Sequence, residues 1–160
     1  VTVIGTVGSD AKKETILANG AAHAVNYKTE NFTEAARDVT GGEGVHVVYD
    51  SVGKDHYQGS IDSLRRRGMM INFGNASGPV PPIDAVELNV KGSLFFTKAS
   101  MRFYQLSRAE LENSAATLFD AIGSGAVKPF IGQTYALADA AQAHIDVWDG
   151  KTTGSTVLSV

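Results

Sequence analysis

Strand-like and helix-like segments alternate along this chain, and that alternation restricts the fold more than any other feature. Val3 to Gly8 is rich in β-branched residues with small glycines, the composition of a central parallel strand. It runs straight into a helix start at Ser9 and Asp10, either of which can cap the helix that Asn19-Gly20 ends. Ala24 to Tyr27 is a short second strand. Asn31 caps a helix with apolar positions Phe32, Ala35, Ala36 and Val39, and Gly41-Gly42 stops it. Val45 to Asp50 is a third strand with a nearly continuous apolar run. Tyr57, Ile61 and Leu64 then fall on one helical face. Arg65, Arg66 and Arg67 suit the carboxyl end of that helix, where cations complement the dipole. Met69 to Phe73 is a fourth strand.

The Pro79-Val80-Pro81-Pro82 stretch breaks regular structure, and Leu94 to Thr97 reads as a fifth strand. Ser107 with Glu110 makes a capping box before a helix that turns Leu111, Ala115, Leu118 and Ile122 inward. Beyond Pro129 the pattern becomes strand (Phe130 to Ala136), helix (Asp139 to Trp148) and strand (Thr156 to Val160). Repeated strand–helix units imply an α/β fold, a doubly wound parallel, Rossmann-like sheet with right-handed crossovers. The strand and glycine-rich turn that usually open such a sheet are expected ahead of Val1. A domain crossing is expected near Val127 to Pro129. Residues 1–128 would then be a partial nucleotide-binding domain and residues 129–160 a β-α-β tail.

Composition narrows the function classes. At 160 residues the chain can bury one good core, and 43% apolar against 19% charged residues argues against disorder. A net charge of −3 leaves no basic footprint for nucleic acid. No apolar run approaches the roughly 20 residues that span a bilayer. The absence of cysteine excludes disulfides and thiolate metal sites within the chain and fits a reducing, cytoplasmic setting. His23, His46, His56 and His144 are scattered and show no metal spacing. Gly41-Gly42-Glu43-Gly44 follows a helix and precedes a strand, the wrong context for a phosphate loop.

Ligands of such sheets lie beyond the carboxyl ends of the strands. At the first strand end the chain reads Gly8-Ser9-Asp10-Ala11-Lys12. Sheets that bind NAD usually place a carboxylate here for the ribose hydroxyls, whereas a 2′-phosphate needs a neutral or basic pocket. Ser9 can donate to that phosphate and Lys12 adds a point charge, which reads as NADP preference. The same residues also suit a plain cap and a solvated lysine, and Asp10 suits the ribose role. Tyr27 fits either a contact to the adenine ribose or phosphate, or simple closure of a strand end. Tyr49-Asp50-Ser51-Val52-Gly53 and Asn72-Phe73-Gly74-Asn75-Ala76-Ser77-Gly78 end the third and fourth strands with small residues that bring backbone close to a ligand. Both also read as ordinary turns.

Taken in order, these motifs resemble the cofactor-domain half of NADPH:quinone oxidoreductases, the zeta-crystallin-like branch of the medium-chain dehydrogenase/reductase superfamily. The markers are Ile4-Gly5-Thr6-Val7-Gly8-Ser9 with Lys12, Val25-Asn26-Tyr27, Val48 to Gly53, Arg67-Gly68 through Gly78, Lys91-Gly92-Ser93-Leu94 and Gly154-Ser155. The resemblance implies NADPH as cofactor. Lys12 and Tyr27 would lie on the 2′-phosphate over a turn made by Gly8 and Ser9. Ser51, Val52, Phe73 and Gly74 would lie by the nicotinamide and its ribose. It implies transfer of a hydride, or of single electrons, to a quinone or related enone, without zinc and with no acid or base supplied by this segment. It implies a homodimer through the Leu94 to Thr97 edge strand, and Lys151 near an arginine position close to the cofactor. A substrate domain is expected before Val1. The chain would then be a fragment, inactive alone, with exposed apolar surface on its tail. Other classes on the same sheet are a non-enzymatic NADPH-binding module, an alcohol dehydrogenase, and a methyltransferase, which Asp10 would suit.

Overall fold

Every strand pairing in the computed structural model, which describes residues 1–160, is parallel, as the strand–helix alternation requires. The chain forms two compact units, Val1–Ser100 and Met101–Val160.

In the first unit β1 (Ile4–Val7) pairs with β2 (His23–Asn26), joined through a 3-10 turn (Asp10–Lys12) and α1 (Lys13–Ala18). After α2 (Phe32–Val39) comes a second sheet of β3 (Val45–Asp50), β4 (Leu64–Asn72) and β5 (Phe95–Lys98), with β4 in the middle. α3 (Tyr57–Asp62) connects β3 to β4, and α4 (Ala85–Val90) connects β4 to β5. The orders β2-β1 and β3-β4-β5 correspond to positions 3-2 and 4-5-6 of a doubly wound sheet, and β1 and β3 do not pair with each other. The two sheets are tied through their helices instead. Phe32 of α2 packs on Gly59 of α3, where a Cβ would lie 2.5 Å from the ring. The Thr33 hydroxyl donates to the Gly59 carbonyl at 3.0 Å, and Arg37 donates to the carbonyls of Asp62 and Gly42, each at 2.8 Å. The core lies against the second sheet: Tyr57, Ile61, Leu64, Met70 and Leu94 are buried together, with Val48, Leu88 and Phe96 around them.

Three local expectations are corrected. The triple arginine does not close a helix. α3 ends at Asp62, and Leu64 opposite Val45 already begins β4. The register then skips to Met69 opposite Val47, so Arg65–Arg67 bulge out of the strand, with Arg67 at a φ of 58°. The fifth strand starts one residue later than expected, because the Leu94 N–H donates to the Leu88 carbonyl of α4 at 3.0 Å instead of joining the ladder. Ser9 stands at the start of the 3-10 turn in extended conformation, but its side chain makes no capping bond. Asn31, by contrast, caps α2 as expected, its Oδ1 accepting from the Thr33 and Glu34 N–H groups at 3.0 and 3.3 Å.

The second unit holds α5 (Met101–Tyr104), α6 (Arg108–Gly123) and a parallel pair, β6 (Ile131–Ala136) with β7 (Ser155–Ser159), crossed over by α7 (Ala140–Trp148). The Ser107–Glu110 capping box is present on both sides. The inward face expected for α6 is not covered: none of its residues is buried, and Leu111 and Leu118 are exposed. Phe130, Ile131 and Trp148 of the tail are exposed as well. Inside the tail the Tyr135 hydroxyl donates to Asp146 at 2.9 Å, which holds that carboxyl below the usual range.

Candidate functional site

The β1–β2 register sets Val7 beside Asn26, so the residues that follow each strand emerge side by side. Gly8 meets Tyr27 there. A Cβ on Gly8 would lie 2.8 Å from the Tyr27 hydroxyl oxygen and 3.6 Å from the Lys28 Cε, so the bare glycine lets the Tyr27 hydroxyl close over it. The Tyr27 ring stands edge-on to His56, with centroids 4.7 Å apart, and His56 also meets Phe32. Tyr27 is thereby anchored to the start of α3. Lys12 closes the 3-10 turn, its N–H donating to the Ser9 carbonyl at 3.1 Å.

Two carboxylates at this mouth are already engaged. Asp10 accepts from the Asn26 amide at 3.1 Å, and Lys13 lies 3.4 Å from the same oxygen. Glu30 accepts from the Asn26 N–H at 2.6 Å and pairs with Lys13 at 2.5 Å. The Lys13 hydrogen bond is the main reason the Glu30 carboxyl sits below its usual range, and the Glu30 bond raises Lys13 in turn. Asp10, Lys13 and Glu30 thus form one ion-paired group around Asn26, with Lys28 beside the mouth.

The second mouth lies at the ends of β3, β4 and β5. Gly53 and Gly74 bring two turns into backbone contact. A Cβ on Gly74 would lie 2.3 Å from the Ser51 carbonyl oxygen, and one on Gly53 would lie 2.3 Å from that of Gly78. The Phe73 N–H donates to the Asp50 carbonyl and the Ser77 N–H to the Val52 carbonyl, both at 2.8 Å. Ser51 and Phe73 are exposed at this rim, with Val52 and Gly74 half-buried behind them. The structure thus gathers the expected residues into two groups: Gly8, Ser9, Lys12 and Tyr27 at one mouth, and Ser51, Val52, Phe73 and Gly74 at the other.

Lys28, His56 and Lys98 belong to these mouths and escape a sequence reading. Lys28 follows a strand end one place after the conspicuous tyrosine. His56 shows no motif, and Lys98 lies one residue past the expected end of β5. Lys151 pairs with Asp149 at 2.8 Å and Asp146 at 3.3 Å in the second unit, and the Asp149 bond is the chief cause of its raised pKa.

Residues 19–158 match the zinc-binding dehydrogenase family. This chain belongs to that family. It falls within the medium-chain dehydrogenase/reductase superfamily, as the motif order implied. It is 46% identical over 158 residues to a 2-haloacrylate reductase of Burkholderia sp, covering 98% of this chain and 47% of that protein. It is 46% identical to a quinone oxidoreductase of Salmonella typhimurium, covering 98% and 48% respectively. Among solved structures, Escherichia coli quinone oxidoreductase complexed with NADPH superposes with a TM-score of 0.94 at 42% identity, covering 99% of this chain and 49% of that one. The chain spans about half the length of the curated relatives it matches. The family's description names zinc, but no three His, Cys, Asp or Glu side chains come together here to hold a metal, so zinc finds no ligand set in this chain. No helix is long and apolar enough to cross a membrane.

Proposed function

We propose that this chain is the cofactor-binding half of an NADPH-dependent reductase whose acceptor is a quinone or a related activated alkene. The observation that carries this is the β1–β2 mouth, where Tyr27 overhangs Gly8, the Ser9 side chain makes no capping bond, and Asp10 is already engaged by Asn26 and Lys13. The Escherichia coli relative bound to NADPH and the names of the two reductases support it. A quinone and a 2-haloacrylate share one chemistry: each is an electron-poor conjugated system that accepts reducing equivalents at carbon or oxygen.

NADPH, when bound, supplies the hydride. The chain's own residues bind and orient. Lys12, Ser9 and Tyr27 would hold the 2′-phosphate over Gly8, with charge-assisted bonds. Ser51, Val52, Phe73 and Gly74 would form the wall for the nicotinamide and its ribose. Here the exposed Phe73 ring adds apolar surface and the half-buried backbone adds donors. Positioning of this kind is the protein's main lever on a hydride transfer. We further propose pairing of two copies through β5, which bonds to β4 alone and exposes Phe95, and a cytoplasmic setting consistent with the lack of cysteine.

The test is cofactor discrimination in the whole protein. Lys12→Ala should lower the preference for NADPH over NADH by about ten- to a hundredfold, the worth of a charged hydrogen bond. An unchanged preference would defeat the 2′-phosphate assignment. Tight NADPH binding without turnover of any quinone or activated alkene would favour a binding module over a reductase.

A further inference from the structure

The β3-β4-β5 register sets Asp50, Asn72 and Lys98 in one row across three strand ends. Asp50 and Asn72 are buried, at 4% and 0% exposure. The Asn72 Nδ2 donates to Asp50 Oδ2 at 2.8 Å and to the Gly74 carbonyl at 2.9 Å. Its Oδ1 accepts from the Lys98 ammonium. Lys98 donates as well to Asn75 Oδ1 at 2.8 Å and to the Gly74 carbonyl at 3.4 Å. The Asp50 carboxylate also accepts from the N–H of Val52 at 2.8 Å and of Gly53 at 3.1 Å. A carboxylate at one end and an ammonium at the other leave the Asn72 amide one orientation.

This row is more than support for the sheet, because its bonds end in the two turns of the second mouth. Asp50 holds the N–H groups of residues 52 and 53, while Asn72 and Lys98 hold the Gly74 carbonyl and the Asn75 side chain. The Lys98 ammonium has three acceptors, all of them on β4 or the turn that follows it, so its contacts serve to position that turn. We propose that Asn72 and Lys98 are positioning residues that lock the Ser51–Gly53 and Phe73–Asn75 turns in the arrangement the nicotinamide half of the cofactor needs. The inference rests on the reading of this chain as an NADPH reductase, and it assigns a task to residues outside that reading.

Two ligands separate this role from a merely structural one: NADPH, and adenosine 2′,5′-bisphosphate, which lacks the nicotinamide. In the whole protein, Lys98→Met should weaken NADPH about tenfold, the worth of a charged hydrogen bond, and leave the bisphosphate unchanged. Lys98→Arg should recover part of the loss. Should Lys98→Met not fold, Asn75→Ala removes one acceptor at an exposed position and should shift binding in the same sense by less. Equal weakening of both ligands, or of neither, overturns the inference while the proposed function stands. A wild-type protein that binds neither ligand overturns the proposed function and takes this inference with it.

Discussion

Replacing Gly74 with alanine should force two strand ends apart. Gly74 has no left-handed φ, so alanine is conformationally permitted and the effect is steric. The new Cβ would sit 2.3 Å from the Ser51 carbonyl oxygen and 2.8 Å from the Ser51 Cα, against about 3.4 Å for ordinary contact. The partner is backbone and cannot swing aside as a side-chain tip would, so the turns must separate by roughly 1 Å. Three bonds span that seam: Phe73 N–H to Asp50 at 2.8 Å, Ala76 N–H to Ser51 at 3.2 Å and Ser77 N–H to Val52 at 2.8 Å. Overpacking of a tight site costs about 1–3 kcal/mol and each lost bond about 1 kcal/mol, which together give about 3 kcal/mol. With a urea slope of about 2 kcal/mol per molar, the midpoint should fall by about 1.5 M. Far-UV circular dichroism is the probe, because Trp148 lies in the other unit and is exposed. A change within about 0.5 kcal/mol, the usual range of a surface substitution, would refute the claim that the turns are in backbone contact.

Gly123→Ala should do the opposite: it ends α6, an added Cβ meets nothing within 4 Å, and alanine should stabilise by about 0.5–1 kcal/mol, read as a small rise in Tm. Ser107→Ala removes the acceptor for the Glu110 N–H and should cost about 1 kcal/mol, seen as lost helicity or a lower Tm. The Lys13–Glu30 pair predicts a pH dependence with a definite sign. The folded Glu30 pKa is depressed, so its contribution is present above the ordinary value of 4.5 and lost as pH falls through the lower folded value. Lys13 is raised, so its contribution is present below 10.5 and lost as pH climbs past that. Glu30→Gln should flatten the acid limb of a stability–pH titration, and an unchanged limb would count against the pairing.

Legibility in the sequence followed the range of the interaction. Val45–Asp50 coincides with β3, because a run of apolar residues between a glycine stop and a serine–glycine turn has only one extended reading. Asn31 and Ser107 are caps because the bonds they make reach only two or three residues onward. Leu64 misleads for the same reason. Seven residues after Tyr57 it satisfies helical spacing, but pairing with Val45, nineteen places back, takes it into a strand and pushes the arginines into a bulge. α4 escapes notice because it is only six residues long and sits just after a proline loop, with Asp84 as its cap. At the site, Gly8 and Tyr27 were legible as separate strand ends, while their contact depends on the β1–β2 register.

The sequence by itself determined that the sheets are parallel and where most strands and the two long-helix caps lie. These follow from alternation and neighbouring residues, both of which are local. Only the tertiary structure decided that Asp50, Asn72 and Lys98 form one row and that Gly53 and Gly74 are glycines because backbone meets backbone there. Those contacts join residues more than twenty places apart, and their distances depend on the β3–β4 and β4–β5 registers, which no single segment encodes.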